Sequence, residues 1–262
     1  MNIVGVDVGR CNVKVFYQSG HFMYPSNLGE LRDMEFTDER GKDDIIGEYR
    51  GRHFTAGTIT RESDYQTPLM TENKVHEDTL ILTLIGLHKA FESSEVGIVT
   101  NLPINNHSKD KKRLKQLLEG FHEITLNGVK KSFHVHCEVA PEGSGIFKYA
   151  GPGVIHGLNI GSRTVNAITF EDGVKIGRLS DTFDFGTLTN KSKNTLGMGK
   201  EIAGRISQLK WHEEEPIYLC GGGASEVVSE LMRYYRMIRI TPDPMFTDAE
   251  AFYKIAREVY EL

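Results

Sequence analysis

Two segments of the chain place small polar residues around a glycine at the same spacing, in a pattern that suits phosphate binding. The first covers residues 5–14 and the second covers residues 157–166. Each is an apolar run that ends in a glycine turn and continues into an alternating run, which predicts a β-hairpin. Glycine lets backbone N–H groups approach an anion without a Cβ in the way. The repeat therefore indicates two similar halves that hold a polyphosphate in a cleft.

The turns of the two hairpins supply the first candidate binding residues for a nucleotide. Backbone amides and short polar side chains are the groups that contact phosphate oxygens in such loops. A plain surface hairpin is the alternative for one short glycine motif, and the second copy favours binding. The candidates are Gly9, Arg10, Cys11, Asn12 and Lys14 in the first hairpin, and Gly161, Ser162, Arg163 and Thr164 in the second.

A third glycine-rich loop follows the apolar run at residues 217–220 and precedes a predicted helix. It consists of Gly221, Gly222, Gly223 and Ala224. Loops of this type present the amides of a helix N-terminus to a nucleotide. The alternative is a plain strand-to-helix turn, although three glycines cost more backbone entropy than such a turn requires.

Two carboxylates stand at the ends of predicted strands, where they can take part in phosphate chemistry. Asp7 closes the first strand, and a carboxylate there can hold a hydrated Mg²⁺ beside phosphates. Glu142 follows the strand that carries Val135 and Val139, and it is a candidate for orienting an attacking water. A solvated position is the alternative for Glu142, because most single glutamates are exposed.

A histidine-rich strand offers a second arrangement with metal-binding residue types. His134, His136 and Glu138 alternate with apolar residues, so they share one face of the strand. We favour a solvated face, or one packed on a second sheet, over a metal site, because a fourth ligand is not evident nearby in the sequence.

Composition limits the classes of partner. A formal net charge of −5 gives no general attraction for nucleic acid or anionic membrane. The longest apolar stretch, residues 80–87, is far shorter than the roughly 20 residues that a membrane span requires. The three cysteines have no CxxC spacing, which is typical of free thiols in a reducing compartment. We therefore expect a cytoplasmic protein without a signal peptide, without direct nucleic acid contact and without a membrane partner.

Local patterns predict the elements that position these residues. Apolar residues at helical spacing predict a helix over 74–92, and Ser108 is a candidate cap for a second helix. The dipeptide Asn127-Gly128 predicts a tight hairpin turn before an alternating strand at 133–139. A last amphipathic helix is predicted over 247–262. The order of strands and helices indicates an α/β protein.

With these residues in place, the sequence resembles the actin, Hsp70 and sugar-kinase superfamily. Segments 3–16, 157–170 and 217–228 resemble its phosphate-1, phosphate-2 and adenosine motifs in order. Within the superfamily the chain is most similar to bacterial actin-like plasmid-segregation proteins of the ParM and AlfA type. Asn101-Leu102-Pro103, Pro141-Glu142 and the segment 243–254 add to this likeness.

The resemblance implies an actin-like fold of two duplicated ribonuclease-H-like α/β domains around a nucleotide cleft. Domain I would cover residues 1–145, with an insertion subdomain IB at about 20–70, and would be completed by a C-terminal helix at 244–262. Domain II would cover residues 146–243.

The resemblance also implies an activity. The protein would bind ATP or GTP with Mg²⁺, polymerise with itself, and hydrolyse the nucleotide slowly. Asp7 would engage Mg²⁺ through water, Glu142 would position the hydrolytic water, and Glu201 would reach the ribose. The filaments would move plasmid DNA through a DNA-binding adaptor bound to the plasmid centromere.

Two departures from the family pattern bear on these expectations. The phosphate-2 motif opens with Asp in the family, whereas this chain has Asn159, a neutral group that would hold metal or catalytic water less strongly. The short distance between the second hairpin and the third glycine loop leaves no room for subdomain IIB, which we expect to be absent.

Two other functions compete with a polymerising nucleotidase. The first is a small-molecule kinase of the same superfamily, for instance one similar to type III pantothenate kinase, although that family's Gly-x-Asp-Arg signature is not found. The second is a nucleotide-binding module without turnover, which Asn159 favours and which Asp7 and Glu142 oppose.

Overall fold

The computed structural model describes residues 1–31, 41, 43–62, 67–68, 73–191 and 194–260. The chain divides into two compact units. The first comprises Met1–Thr100, Asp110–Val139 and Tyr253–Leu262, and the second comprises Asn101–Lys109 and Ala140–Phe252. Parts of the insertion predicted over 20–70, and the last two residues of the predicted C-terminal helix, lie outside the described residues.

A ten-stranded sheet forms the first part of the chain. Its strands lie in the order β3-β2-β1-β8-β10-β9-β5-β6-β4-β7. Their bounds are β1 (Asn2–Val8), β2 (Asn12–Tyr17), β3 (Gly20–Pro25), β4 (Asn27–Glu30), β5 (Ile45–Tyr49), β6 (Arg52–Ala56), β7 (Thr67–Pro68), β8 (Ser94–Leu102), β9 (Gly120–Leu126) and β10 (Val129–Pro141).

Helix α1 (Glu77–Ala90) packs against strands β1, β2 and β9 of the first unit. Every residue from 79 to 87 is buried, which is typical of a helix enclosed by the core on all sides. A Cβ on Gly86 would lie 2.9 Å from both Tyr24 and Val15, so this glycine lets the helix approach β2 and β3 closely. The side chain of His76 caps the helix by accepting from the amide of Asp78.

Helix α2 (Ile104–Leu118) begins earlier than the sequence predicts. Ser108 lies inside the helix, so its prediction as the cap is wrong. The physical reason is Pro103, whose ring fixes a backbone angle compatible with a helix start and whose carbonyl accepts from the amide of Asn106 at 3.0 Å.

A six-stranded sheet forms the second unit, with the order β13-β12-β11-β15-β16 and with β14 paired to β12. The elements from β11 onward are β11 (Val154–Ile160), β12 (Val165–Glu171), β13 (Val174–Lys175), β14 (Asp181–Phe183), α3 (Thr195–Gln208), β15 (Ile217–Cys220), α4 (Ala224–Leu231), β16 (Ile238–Ile240) and α5 (Thr247–Tyr260). Helix α5 begins in the second unit, and its residues from Tyr253 onward belong to the first.

Two apolar clusters cover this sheet. Alternate residues of β12 belong to different clusters, so the clusters lie on opposite faces. One contains Val165 and Ala167 together with residues of α3 and α4, and the other contains Ile168 and Phe170 together with Ile146 from the 3₁₀ segment Ser144–Tyr149. The second unit is therefore a sheet covered on both faces, as expected for an α/β protein.

The predicted repeat is confirmed at the level of strand register. Asp7 lies opposite Lys14 in the first hairpin, and Asn159 lies opposite Asn166 in the second. In both units the first strand of the hairpin also pairs in parallel with a later strand, β1 with β8 and β11 with β15.

Two further sequence predictions are confirmed. Asn127 and Gly128 both have positive φ, as a tight hairpin turn requires. Phe133 and Val135 are buried while His134 between them is exposed, which confirms the alternation of β10. Among the described residues, the helices are too short or too polar to cross a bilayer.

Candidate functional site

The first glycine turn is held from behind by Ser26. The turn closes with a hydrogen bond from the amide of Gly9 to the carbonyl of Asn12 at 3.1 Å. The Ser26 hydroxyl donates to the carbonyl of Gly9 at 2.6 Å, and its amide donates to the carbonyl of Cys11 at 2.8 Å. In a trans peptide the next N–H points opposite to the carbonyl. The amides of Arg10 and Asn12 therefore point away from Ser26.

The second glycine turn is built in the same way. It closes with a hydrogen bond from the amide of Gly161 to the carbonyl of Thr164 at 3.0 Å. The segment 187–189, which follows β14, donates to all three carbonyls of residues 161–163. These bonds are Thr187 N to Gly161 O at 3.1 Å, Leu188 N to Ser162 O at 2.8 Å and Thr189 Oγ1 to Arg163 O at 3.0 Å.

Three successive amides of the second turn consequently share one direction. Because their peptide carbonyls are engaged by the segment 187–189, the N–H groups of residues 162–164 point away from that segment. Convergent backbone amides of this kind form a concave binding surface for anions. The backbone alone thus makes the turn suitable for a phosphate group.

Gly186 allows this bracing segment to approach the turn. A Cβ at this position would lie 2.5 Å from both the carbonyl oxygen of Gly161 and the amide nitrogen of Arg163. Sequence reasoning missed Gly186. Its signal is a single glycine three residues after the end of a short strand, which indicates a close approach of two backbones.

The third glycine loop packs against the end of β11, beside the second turn. A Cβ on Gly221 would lie 2.5 Å from the Asn159 side-chain oxygen, and one on Gly223 would lie 2.5 Å from Ile160. The amide of Gly223 donates to the carbonyl of Ile160 at 3.0 Å. A Cβ on Gly222 would instead lie 3.2 Å from the sulfur atom of Met245. The structure therefore brings the third loop, and Ala224 at the start of α4, to the second hairpin.

Asp7 and Lys14 form an ion pair inside the first hairpin. The Lys14 Nζ lies 2.9 Å from Asp7 Oδ2, and the Asp7 side chain is largely buried, since the residue is 7% exposed. The pair follows from the register, because the two residues are directly opposite on one face of the hairpin. The first turn thus carries an anion and a cation of its own.

The second hairpin carries two amides at the equivalent positions, and one of them holds Glu142. Asn166, which is 1% exposed, donates from Nδ2 to Glu142 Oε2 at 2.5 Å. Its own oxygen accepts from the Thr182 hydroxyl at 2.8 Å and from the Ile104 amide at 3.4 Å. Glu142 is 8% exposed, so the alternative that it occupies a solvated surface position is wrong. The Asn166 orientation is fixed, and with it one oxygen of the glutamate.

The second amide of that hairpin, Asn159, holds another carboxylate. Its Nδ2 donates to Asp248 Oδ2 at 2.5 Å. Asp248, in the first turn of α5, is 3% exposed and also accepts from the amides of Gly143 and Gly145 at 2.8 and 2.9 Å. Since Gly143 directly follows Glu142, Asp248 links Asn159 to the loop that carries the glutamate.

Glu201 stands apart from these groups. It lies on the exposed side of α3, with Oε1 3.9 Å from an Arg205 nitrogen. Among the described residues, hydrogen bonds do not connect it to the glycine loops. The ribose role of Glu201 stays a prediction.

Sequence reasoning missed Asp248 and the holding role of Asn166. Asp248 carries a weak signal, since acids are common in the first turn of any helix. Asn166 lies in the quoted motif, and its relation to Glu142 depends on two chain segments that are distant in sequence.

The chain was compared with protein-family models, with curated protein sequences and with solved structures. A family model described as the N-terminal domain of actin-like proteins matches residues 5–145, more than half of the chain. No curated protein sequence matches the chain significantly.

Several solved structures are similar over the whole length. An AlfA filament bound to AMPPNP has a TM-score of 0.79 and 22% identity, covering 100% of this chain and 99% of the other. The filament of AlfA from the B. subtilis plasmid pLS32 has a TM-score of 0.80 and 20% identity, covering 99% of both chains. The apo ParM protein of psk41 has a TM-score of 0.79 and 17% identity, covering 99% and 98%. At these identities the likeness concerns the fold.

Proposed function

The chain belongs to the family of actin-like proteins and has the mixed α/β fold of its structural relatives, and we propose that it forms filaments in a nucleotide-dependent manner. In this proposal the protein binds ATP or GTP with Mg²⁺, polymerises with itself and hydrolyses the nucleotide slowly. The filaments segregate plasmid DNA through a DNA-binding adaptor on the plasmid centromere. The solved relatives that are described as filaments support the self-assembly step.

The observation that carries the proposal is the shared construction of the two glycine turns. Both close with the same backbone hydrogen bond, and in both the carbonyls are engaged from behind by a later segment. The amides that result suit the phosphates of a nucleotide. Two turns with this shared construction are more than a structural hairpin requires, so they favour a polyphosphate ligand.

The residues present fit a magnesium nucleotide. Asp7 supplies a carboxylate of the type that holds hydrated Mg²⁺, and the ion when bound would neutralise phosphate charge. Lys14 neutralises Asp7 in the described structure. On binding, we expect Lys14 to turn to a phosphate oxygen, which leaves Asp7 to the metal's water ligands.

Glu142 is the proposed group that orients the attacking water. Hydrolysis of a phosphoanhydride depends on positioning and on electrostatic stabilisation more than on covalent chemistry by the protein. Asn166 donates to one carboxylate oxygen of Glu142, and Asp248 accepts from the amides of Gly143 and Gly145 in the segment that follows. These contacts restrict the side chain and its loop, which is the condition for an effective positioning group.

Asn159 receives a different role from the one that the sequence indicates. Its amide is engaged with Asp248, so we propose that it fixes the Glu142 loop and does not substitute for a metal-holding carboxylate. We also propose that subdomain IIB is absent. The segment that connects β14 to β15 already contains α3 (Thr195–Gln208), and the rest of that segment is too short for a further subdomain.

The test is sedimentation combined with phosphate release on the full chain. Samples contain Mg-ATP, Mg-GTP, Mg²⁺ without nucleotide, or ATP with EDTA. We expect pelleting and phosphate release with a magnesium nucleotide alone. Equal pelleting in all four samples would contradict nucleotide dependence. Nucleotide binding with neither pelleting nor phosphate release would favour a binding module, and phosphate transfer that depends on an added acceptor would favour a kinase.

A further inference from the structure

Outside the glycine loops, the first unit brings two histidines and a glutamate together on one surface. His134 and His136 lie two residues apart on β10, so they share its outward face, and their ring centroids are 4.9 Å apart. Glu95 comes from β8, the neighbouring strand, and its Oε1 lies 2.8 Å from His136 Nε2. One ligand atom from each of the three residues lies within 4.8 Å of the other two.

The glutamate that completes this cluster is not the one that the strand pattern indicates. Glu138, which shares the face of the two histidines, forms ion pairs with Lys111 and Lys115. Glu95 takes its place because β8 and β10 are adjacent in the sheet. The sequence pattern does not indicate Glu95, because this residue lies about forty positions before the two histidines along the chain.

We propose that Glu95, His134 and His136 form a binding site for a divalent transition-metal ion such as Zn²⁺. Imidazole and carboxylate are both common ligands of zinc, and a three-ligand set leaves the remaining position to water. The inference concerns the first unit alone and does not depend on the proposed nucleotide chemistry.

The geometry is compatible with such an ion after small side-chain rotations. Zinc–nitrogen and zinc–oxygen distances of about 2.0–2.2 Å place tetrahedral ligand atoms about 3.3–3.5 Å apart. The His136–Glu95 separation of 2.8 Å is close to this value, and the wider separations have to shrink by about an ångström. Glu95 and His134 are exposed, so their side chains can make this adjustment without disturbing the core.

The charge of the carboxylate also suits a cation. Glu95 contributes a carboxylate oxygen, which is one of the ligand types that zinc takes in proteins. The alternative interpretation is a surface contact between a glutamate and a histidine, which binds no ion.

The chain offers a matched control for that alternative. His53 is an exposed histidine on β6 and lies opposite Glu48 on β5, so it has a cross-strand glutamate but lacks a second histidine at its side among the described residues. His53→Ala removes one exposed imidazole from the same unit. It therefore reports what non-specific binding by a single histidine contributes.

The experiment is calorimetric titration of the full chain with Zn²⁺ in excess Mg²⁺, with Co²⁺ absorption as the second measurement. We expect one ion per chain, and we expect His134→Ala and His136→Ala each to weaken binding by at least about tenfold, since even outer partners of a metal site contribute that much. Glu95→Gln should weaken it as well, and His53→Ala should leave it unchanged. The absorption of bound Co²⁺ should indicate nitrogen and oxygen ligands.

Three results would overturn the site. They are an absence of saturable binding to the wild-type protein, equal binding by the two histidine variants, and a Co²⁺–thiolate absorption band. The last would place the ion at a cysteine, of which Cys11 is the partly exposed one. Thermal unfolding of each variant without metal serves as the folding control, and added Zn²⁺ should raise the melting temperature of the wild type but not of His136→Ala.

Discussion

The two hairpins share a backbone design but differ in the charge of their paired side chains. In each, the residue at the end of the first strand lies opposite a residue of the second strand, Asp7 with Lys14 and Asn159 with Asn166. The first pair is an ion pair between two residues of the same hairpin. The second pair is neutral, and each amide donates to a carboxylate from another segment, Asp248 or Glu142.

This difference shows how one turn design can serve two purposes. The backbone amides are kept in both turns, because their direction depends on carbonyls that are engaged from behind. The side chains differ, because the first hairpin carries its own charge whereas the second organises charges that arrive from elsewhere. A carboxylate at position 159 would repel Asp248, so the neutral residue is consistent with its neighbour.

The largest expected effect concerns Glu142. Glu142→Gln keeps the shape and a hydrogen bond to Asn166 but removes the carboxylate charge, so phosphate release should fall by about 10²-fold. Nucleotide binding should change little, because water positioning matters mainly in the transition state. Glu138→Gln, on the same strand, is the control. Wild-type turnover in Glu142→Gln would remove this residue from the mechanism.

The second prediction tests the charge on the second hairpin. Asn159→Asp places a carboxylate against buried Asp248 and removes a charge-assisted hydrogen bond, which should lower the free energy of unfolding by about 1.5–3 kcal/mol. Urea unfolding measures this change. Asn105→Asp is the control, because Asn105 also donates to an aspartate, Asp181, but does so at an exposed position.

A compensating exchange sharpens the same test. Asp248→Asn added to Asn159→Asp restores one donor and one acceptor between the two positions. The rescue should be partial, because an amide has one oxygen and Asp248 uses both of its oxygens toward Gly143 and Gly145. If Asn159→Asp is as stable as the wild type, the hydrogen bond with Asp248 does not require a neutral side chain at position 159.

The third prediction concerns the first hairpin. Asp7→Asn removes the carboxylate that we assign to hydrated Mg²⁺, so the Mg²⁺ concentration for half-maximal phosphate release should rise by about tenfold, the equivalent of about 1.4 kcal/mol. Glu123→Gln is a matched control, because Glu123 also forms a cross-strand ion pair, with Lys130, at an exposed position. An unchanged Mg²⁺ requirement would place Asp7 outside the metal's surroundings.

The smallest effect is a pH dependence of stability in the first unit. Burial lowers the pKa of His122, with a smaller contribution from the positive charge of Arg50. The unfolded chain, with a histidine pKa near 6.5, then binds more protons than the folded chain as the pH falls. The contribution of neutral His122 to the free energy of unfolding is therefore fully present above about pH 6.5 and is lost as the pH falls below that value.

Urea unfolding between pH 5 and 8 measures this dependence. His122 contacts the Tyr49 hydroxyl at 2.8 Å and the Leu118 carbonyl at 3.0 Å, so His122→Gln is the conservative variant. We expect a shallower loss of stability below pH 6.5 in the variant. The same slope in both proteins would mean that His122 does not contribute to it.

The elements around the turns could be predicted from sequence because their signals are local. Alternation placed Phe133 and Val135 inward, and Asn127-Gly128 marked a turn. The start of α2 was mislocated, because the signal from Ser108 was stronger in sequence than that from Pro103.

The partners of the second hairpin could not be predicted, because they are contacts between distant segments. Asp248 lies 89 positions from Asn159, and Glu142 lies 24 positions from Asn166. Periodicity contains no information about which buried carboxylate meets which amide. The segment 187–189 was missed for the same reason, although Gly186 marks the place where it approaches the turn.

The most direct test of the account is hydrogen–deuterium exchange of the two turns, with and without Mg²⁺ and a non-hydrolysable ATP analogue. The account predicts slower exchange in both turns when the nucleotide is present, for the amides of Arg10 and Asn12 and for those of residues 162–164. Unchanged exchange in both turns, or protection confined to one of them, would contradict the proposal that each turn binds nucleotide phosphates.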